Sequence, residues 1–170
     1  MRHRLPPPAA ALVLAGCASA VVDPPAANGP QLAVTPLAAE GRTLTSYSAI
    51  ETPQRVVVRD SSAWRAEWAA IWGAVTPAPA LPAVDFTREV VVVAALGPRS
   101  TGGYGIVIDS ATAGGSATPG GGAAVWVRSV SPGPSCLTTQ AFTSPVDAVR
   151  LPAVGGPITF REQAQVTNCN

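Results

Sequence analysis

The chain is 170 residues long, enough for one domain with appendages. Nearly half of it is apolar and only 12% is charged, so it can bury a sizeable core. Eleven arginines, with no lysine, stand against ten acids, and so near-neutral a chain has no broad field to attract nucleic acid.

The first residues read as a targeting segment outside the fold. Met1-Arg-His-Arg4 supplies positive charge, 9–15 are apolar, and Leu14-Ala15-Gly16-Cys17 resembles a bacterial lipoprotein cleavage site. Pro6-Pro7-Pro8 departs from the usual pattern, because proline disfavours helix there. Residues 1–16 are expected to be a signal peptide, with Cys17 as the lipid-bearing first residue of the mature chain. Ala18 rather than Asp follows it, which favours the outer membrane of a two-membrane envelope. His3 is the only histidine and is cut off with the leader. That excludes histidine-dependent triads and histidine metal sites, so no catalytic residue, metal or cofactor is expected.

Residues 17–44 are rich in Ala and Pro without clear periodicity and read as an extended tether. The domain is expected to run from 45 to 170. A short strand is predicted over 46–50 and another over 54–59. Asp60-Ser61-Ser62 can cap a helix, and Trp64, Trp68 and Trp72 follow at intervals of four, which places three indoles on one face. So short a helix is marginal alone, so its stripe is expected to dock on a sheet.

Val90-Val-Val-Val-Ala-Ala-Leu96 is too short for a membrane span and, being β-branched, suits a strand buried on both faces. Gly97, Gly102, Gly103 and Pro98 break it, and Tyr104-x-Ile106-x-Ile108 alternates. This predicts a central strand, a glycine-bearing turn and an antiparallel partner. Residues 111–122 read as a hairpin tip, 124–130 as a strand, 131–136 as a turn and 137–142 as a strand. Residues 147–151 alternate, and 158–160 form the last clear strand.

Cys136 and Cys169 remain once Cys17 carries lipid, and an oxidising envelope would pair them. The acids Asp85, Glu89, Asp109, Asp147 and Glu162 could form a carboxylate pair for hydrolysis only if the fold gathers two of them. In the loop 99–104, Arg99, Thr101, Gly102, Gly103 and Tyr104 read as a contact loop, since Arg and Tyr are favoured at interfaces. The structural reading is a glycine turn anchored by the tyrosine.

The order of these pieces resembles one family. The tryptophan helix, Pro82-Ala-Val-Asp-Phe-Thr-Arg-Glu-Val-Val-Val-Val, Leu96-Gly-Pro-Arg-Ser-Thr-Gly-Gly-Tyr104, Ser131-Pro-Gly-Pro-Ser-Cys136 and Gln140-Ala-Phe-Thr-Ser-Pro145 are similar to the PrcB C-terminal domain family. That family is named for a subunit of a secreted bacterial protease complex. The resemblance implies a non-catalytic domain that binds or stabilises a protein partner, here held on a membrane by lipid. The fold expected is α+β: a single domain rich in antiparallel sheet with one packed tryptophan helix. Thr101-Gly-Gly-Tyr104 also resembles the loop of chagasin-type inhibitors, which gives peptidase inhibition as an alternative. A carboxylate-dependent hydrolase is the third reading.

Overall fold

A computed structural model describes residues 29–38, 41–114 and 121–169. The expected signal peptide and Cys17 lie outside these residues, as do 115–120 of the expected hairpin tip. Nine elements follow in order: β1 (Gln31–Leu32), β2 (Thr35–Pro36), β3 (Gln54–Val58), α1 (Ser61–Trp72), β4 (Glu89–Ala95), β5 (Gly105–Ala113), β6 (Ala123–Pro132), β7 (Val146–Pro152) and β8 (Ile158–Thr167).

The valine strand β4 is the middle layer of three. Its even residues, Val90, Val92, Ala94 and Leu96, pack toward β5 and β6, against Ile106, Ile108, Val125 and Val127. Its odd residues, Val91, Val93 and Ala95, pack on the opposite side against Trp64, Trp68 and Ile71 of α1. Every residue from Val90 to Leu96 is buried, so the expected burial on both faces holds. Each fully buried valine contributes about 1.5–3 kcal/mol, which makes this strand the energetic centre.

Two four-stranded sheets carry these faces, in the orders β1-β5-β6-β8 and β2-β7-β4-β3. The sheet-rich α+β domain expected from sequence is present, though no single sheet holds all its strands. Among the described strands all pairings are antiparallel except β6 with β8, which is parallel over ten residues. The predicted hairpin from β4 to β5 is absent: β4 pairs with β3 and β7, and β5 lies in the other sheet. The reason lies in the chain between them. After β4 ends, Leu96 N donates to Pro145 O (3.0 Å), and Arg99 and Thr143 exchange backbone bonds of 2.7 and 2.9 Å. The chain therefore stays beside the segment leading into β7 before crossing to the facing sheet.

The tether boundary moves as well. Residues 31–36 form β1 on one sheet and β2 on the other, so the domain starts well before residue 45. Leu32 and Val34 pack on the inter-sheet core and Leu37 on the helix side. Each strand is two residues long, and Pro36 sits at an edge where its missing N–H is tolerated. In place of the strand expected over 46–50, Tyr47 makes an isolated bridge with Ser144, next to one between Thr45 and Val146. Ser48 Oγ donates to Ser144 O and Ser144 Oγ to Ile50 O, both at 2.8 Å, which fixes this segment without a ladder.

Helix α1 forms where the capping residues predict. Asp60 holds extended backbone (φ −148°, ψ 162°), and its Oδ1 accepts from Ser62 N and Ala63 N at 2.9 Å. The indoles run as a tilted ladder with centroid spacings of 5.2 and 5.6 Å. Trp64 Nε1 donates to Pro82 O and Trp68 Nε1 to Pro79 O, both at 3.0 Å. The proline-rich segment after the helix thus folds back over its indoles. Among the described residues no helix is long and apolar enough to cross a membrane.

Candidate functional site

One end of the sandwich gathers the residues singled out in the loop 99–104. Arg99 and Thr143 pair through their backbones, Thr143 Oγ1 donates to Thr101 O (3.0 Å), and Gly102 N donates to Thr139 O (2.9 Å). Gly102 lies so close to Thr139 that a Cβ there would collide with its Oγ1. Gly103 has φ +86°, a left-handed backbone that disfavours any side chain. The glycines therefore serve the turn, in which Ser100 and Gly103 are exposed, Gly102 is buried, and Arg99, Thr101 and Tyr104 are half-buried.

Arg99 extends its guanidinium over the Tyr104 ring at 5.7 Å. Tyr104 in turn packs against the inter-sheet core. The Arg–Tyr pair is thereby held in place by its own chain.

The segment beside this loop, 137–142, forms no strand, against the expectation from sequence. Instead Leu137 (102% exposed) and Phe142 (80%) stand in solvent, with Tyr47 (59%) bridged next to Ser144. Isolated exposed apolar residues are ordinary, but three on neighbouring segments around a braced Arg–Tyr loop are not. A cavity of about 260 Å³ opens beside Leu137, lined also by Gly103, Pro132, Thr138, Thr139 and Thr167. A sequence signal was present: Leu137 and Phe142 are five apart, an odd spacing that puts them on opposite faces of a strand. A half-buried strand would hold its apolar residues on one face.

The disulfide Cys136–Cys169 closes this end, with sulfurs 1.99 Å apart. It joins the turn after β6 to the end of β8. Gly133 N donating to Thr167 O (2.8 Å) strengthens the same join.

The five candidate acids are each engaged elsewhere. Asp85 accepts from Thr87 N and Oγ1 in a local turn. Glu89 faces Arg150 at 3.6 Å, Glu162 takes Arg55 at 2.8 and 2.9 Å, and Asp109 takes Arg128 at 2.8 and 2.7 Å. Among the described residues, the lining of a cavity of about 520 Å³ beside β5 holds one carboxylate, that of Asp109. Among the described residues no three His, Cys, Asp or Glu side chains group as metal ligands.

Asp147 is the unusual acid. Only 2% exposed, it reaches from β7 to the open edge of β5, where Oδ2 accepts from Ile108 N at 2.8 Å and Oδ1 from Ala148 N at 2.9 Å. Thr43 does the same at Ile106, accepting from its N–H at 3.2 Å and donating to its C=O at 3.0 Å. Two side chains thus satisfy the stretch of β5 that short β1 leaves uncovered.

Burial pushes the Asp147 carboxyl up from its ordinary 3.8 to about 6, against the two backbone N–H bonds that favour the anion. The unfolded chain releases this proton near pH 4 and the folded chain near pH 6. Stability linked to Asp147 is therefore full below about pH 4 and falls as pH rises to about 6, by on the order of 2–3 kcal/mol. Urea titrations at successive pH values should show this decline, and Asp147→Asn should flatten it. An unchanged slope in the variant would remove the assignment.

These features define a sheet-rich α+β domain: two facing sheets, one docked helix and a braced, partly apolar loop end. Residues 90–152 match the family model described as PrcB C-terminal. The matched stretch runs from β4 through β7 and includes the loop 99–104 and the turn at Cys136, whereas the tryptophan helix lies outside it. No curated protein and no solved structure matches the chain.

Proposed function

We propose that this chain is a non-catalytic, exported domain, anchored to a membrane through lipid on Cys17, that binds a protein partner belonging to a protease complex. The family match links residues 90–152 to a protease-complex subunit. The observation that carries partner binding is the exposed trio Leu137, Phe142 and Tyr47 around the Arg99–Tyr104 pair. Rigid aromatic and arginine anchors beside an apolar recess have the composition of a binding hot spot.

The test compares affinity capture from native envelope by the wild-type chain and by a Leu137→Ser/Phe142→Ser variant. Both side chains are solvent-exposed, so the variant should keep its thermal stability. The wild type should recover one stoichiometric protein, and the variant at least about tenfold less of it, the equivalent of about 1.4 kcal/mol. Recovery of nothing, or equal recovery by both, would contradict the reading. Titrating the same chain against papain-like and serine peptidases separates a scaffold from an inhibitor. The pre-braced loop is what favours inhibition as the second reading, and activity unchanged at micromolar chain eliminates it.

A further inference from the structure

Strand β8 ends the first sheet, and its far side meets no backbone group among the described residues. The other sheet edges are short: β1 and β2 have two residues each and β3 has five, against ten in β8. A long free edge is a ready template for another strand.

The direction of its backbone groups is fixed by two bonds. Pro157 O accepts from Ala123 N (2.9 Å) and Thr167 O from Gly133 N (2.8 Å), so odd-numbered carbonyls face β6. By strand alternation, Phe160, Glu162, Ala164 and Val166 turn their N–H and C=O groups outward. β8 carries no proline or bulge that would block pairing, and the disulfide at Cys169 fixes its far end.

The geometry points to self-association: a second copy of this chain adds its own β8 antiparallel to this one, about a two-fold axis at Gln163. In that register Phe160 stands opposite the partner's Val166, Glu162 opposite the partner's Ala164, and Arg161 opposite the partner's Gln165. The outward groups pair as hydrogen-bonded partners, giving about eight inter-chain bonds, and Gln163 meets its own copy. Val166, 55% exposed in the single chain, gains an aromatic neighbour. Moving the axis to Glu162 or Arg161 sets like charges face to face, which costs stability. Of these three axes the side chains favour Gln163, the one that sets Phe160 opposite Val166. This surface is separate from the loop end, and the inference does not depend on the proposed partner.

The test is sedimentation velocity of the full chain in detergent across a concentration series. The protein mass should double with concentration in the wild type. Ala164→Pro removes an outward N–H without touching the β6 ladder, which edge strands tolerate. It should weaken association about tenfold or more while thermal stability holds. Gln163→Glu places two carboxylates at the axis and should weaken association at neutral pH, with recovery on acidification below the carboxylate range. A wild-type chain monomeric throughout, or an Ala164→Pro chain that dimerises unchanged, overturns the proposal. A monomer whose β8 amides gain hydrogen-exchange protection only with envelope extract also overturns it, and assigns the edge to a foreign strand.

Discussion

Trp64→Ala should lower the free energy of unfolding by about 3–5 kcal/mol. The indole is 1% exposed and packs with Val91, Val93 and Ala148 on the helix side of the middle layer. Its removal leaves a cavity too large for a twelve-residue helix to collapse into without losing its seat. It also strips Pro82 O of the indole N–H that the carbonyl accepts. That carbonyl is half-buried, so losing the bond adds roughly 0.5–1.5 kcal/mol. Against a typical total of about 5–15 kcal/mol, the loss is large enough to populate unfolded chain at moderate temperature. Trp72→Ala should cost less, because that ring is half-buried and its N–H has no partner to abandon. Guanidinium titrations of the two variants give the comparison. A Trp64→Ala change below about 1 kcal/mol would mean that the helix is not held by its indoles.

The same residues show what sequence can and cannot carry. Four consecutive valines state that both faces of a strand are covered, and tryptophans at intervals of four state that a helix has one buried side. Both properties are local, and both are present in the structure. Neither states which strand lies alongside. Tyr104-x-Ile106-x-Ile108 alternates equally well as a hairpin partner of β4 or as a strand of the facing sheet. The choice was made by Pro145 and Thr143, far away in sequence, which hold the chain after Leu96. The parallel pairing of β6 with β8 is invisible for a related reason, since it joins strands separated by β7. Only 158–160 showed the expected pattern because the rest of β8 is exposed and polar, with little period-two contrast. Strands β1 and β2 were hidden by length, because two residues cannot establish a period.

At the loop end, Arg99 and Tyr104 were legible as interface-type residues and Gly103 as a turn residue. Their bracing by Thr139 and Thr143 was not, because it depends on the sheet having already brought residues 40 apart together. Asp147 was legible only as one of five scattered acids. Its neighbours Val146 and Ala148 are both buried, and an acid between two buried residues in a strand already marks a group facing the other covered side.

Reduction of Cys136–Cys169, or its replacement by serines, should cost about 3–4 kcal/mol at neutral pH. The two cysteines are 33 positions apart, so the bond removes loop-closure entropy from the unfolded chain over nearly a fifth of its length. Its structural position decides where the loss shows. From Glu162 to Thr167, β8 is exposed and has β6 on one side only. Little apolar burial holds it there, whereas Ile158 and Phe160 at its start pack on the core. With the crosslink gone, the far half of β8 should fray first, and its amides should exchange faster than those of β4 and β7, which stay near the global limit. Urea titration with and without reductant gives the magnitude, and hydrogen exchange gives the location. A shift below about 1 kcal/mol would show that the β6–β8 ladder and the Gly133–Thr167 bond hold this end without the crosslink. Uniform acceleration across all strands would show instead that the domain opens as one unit, with β8 no weaker than the valine layer it flanks.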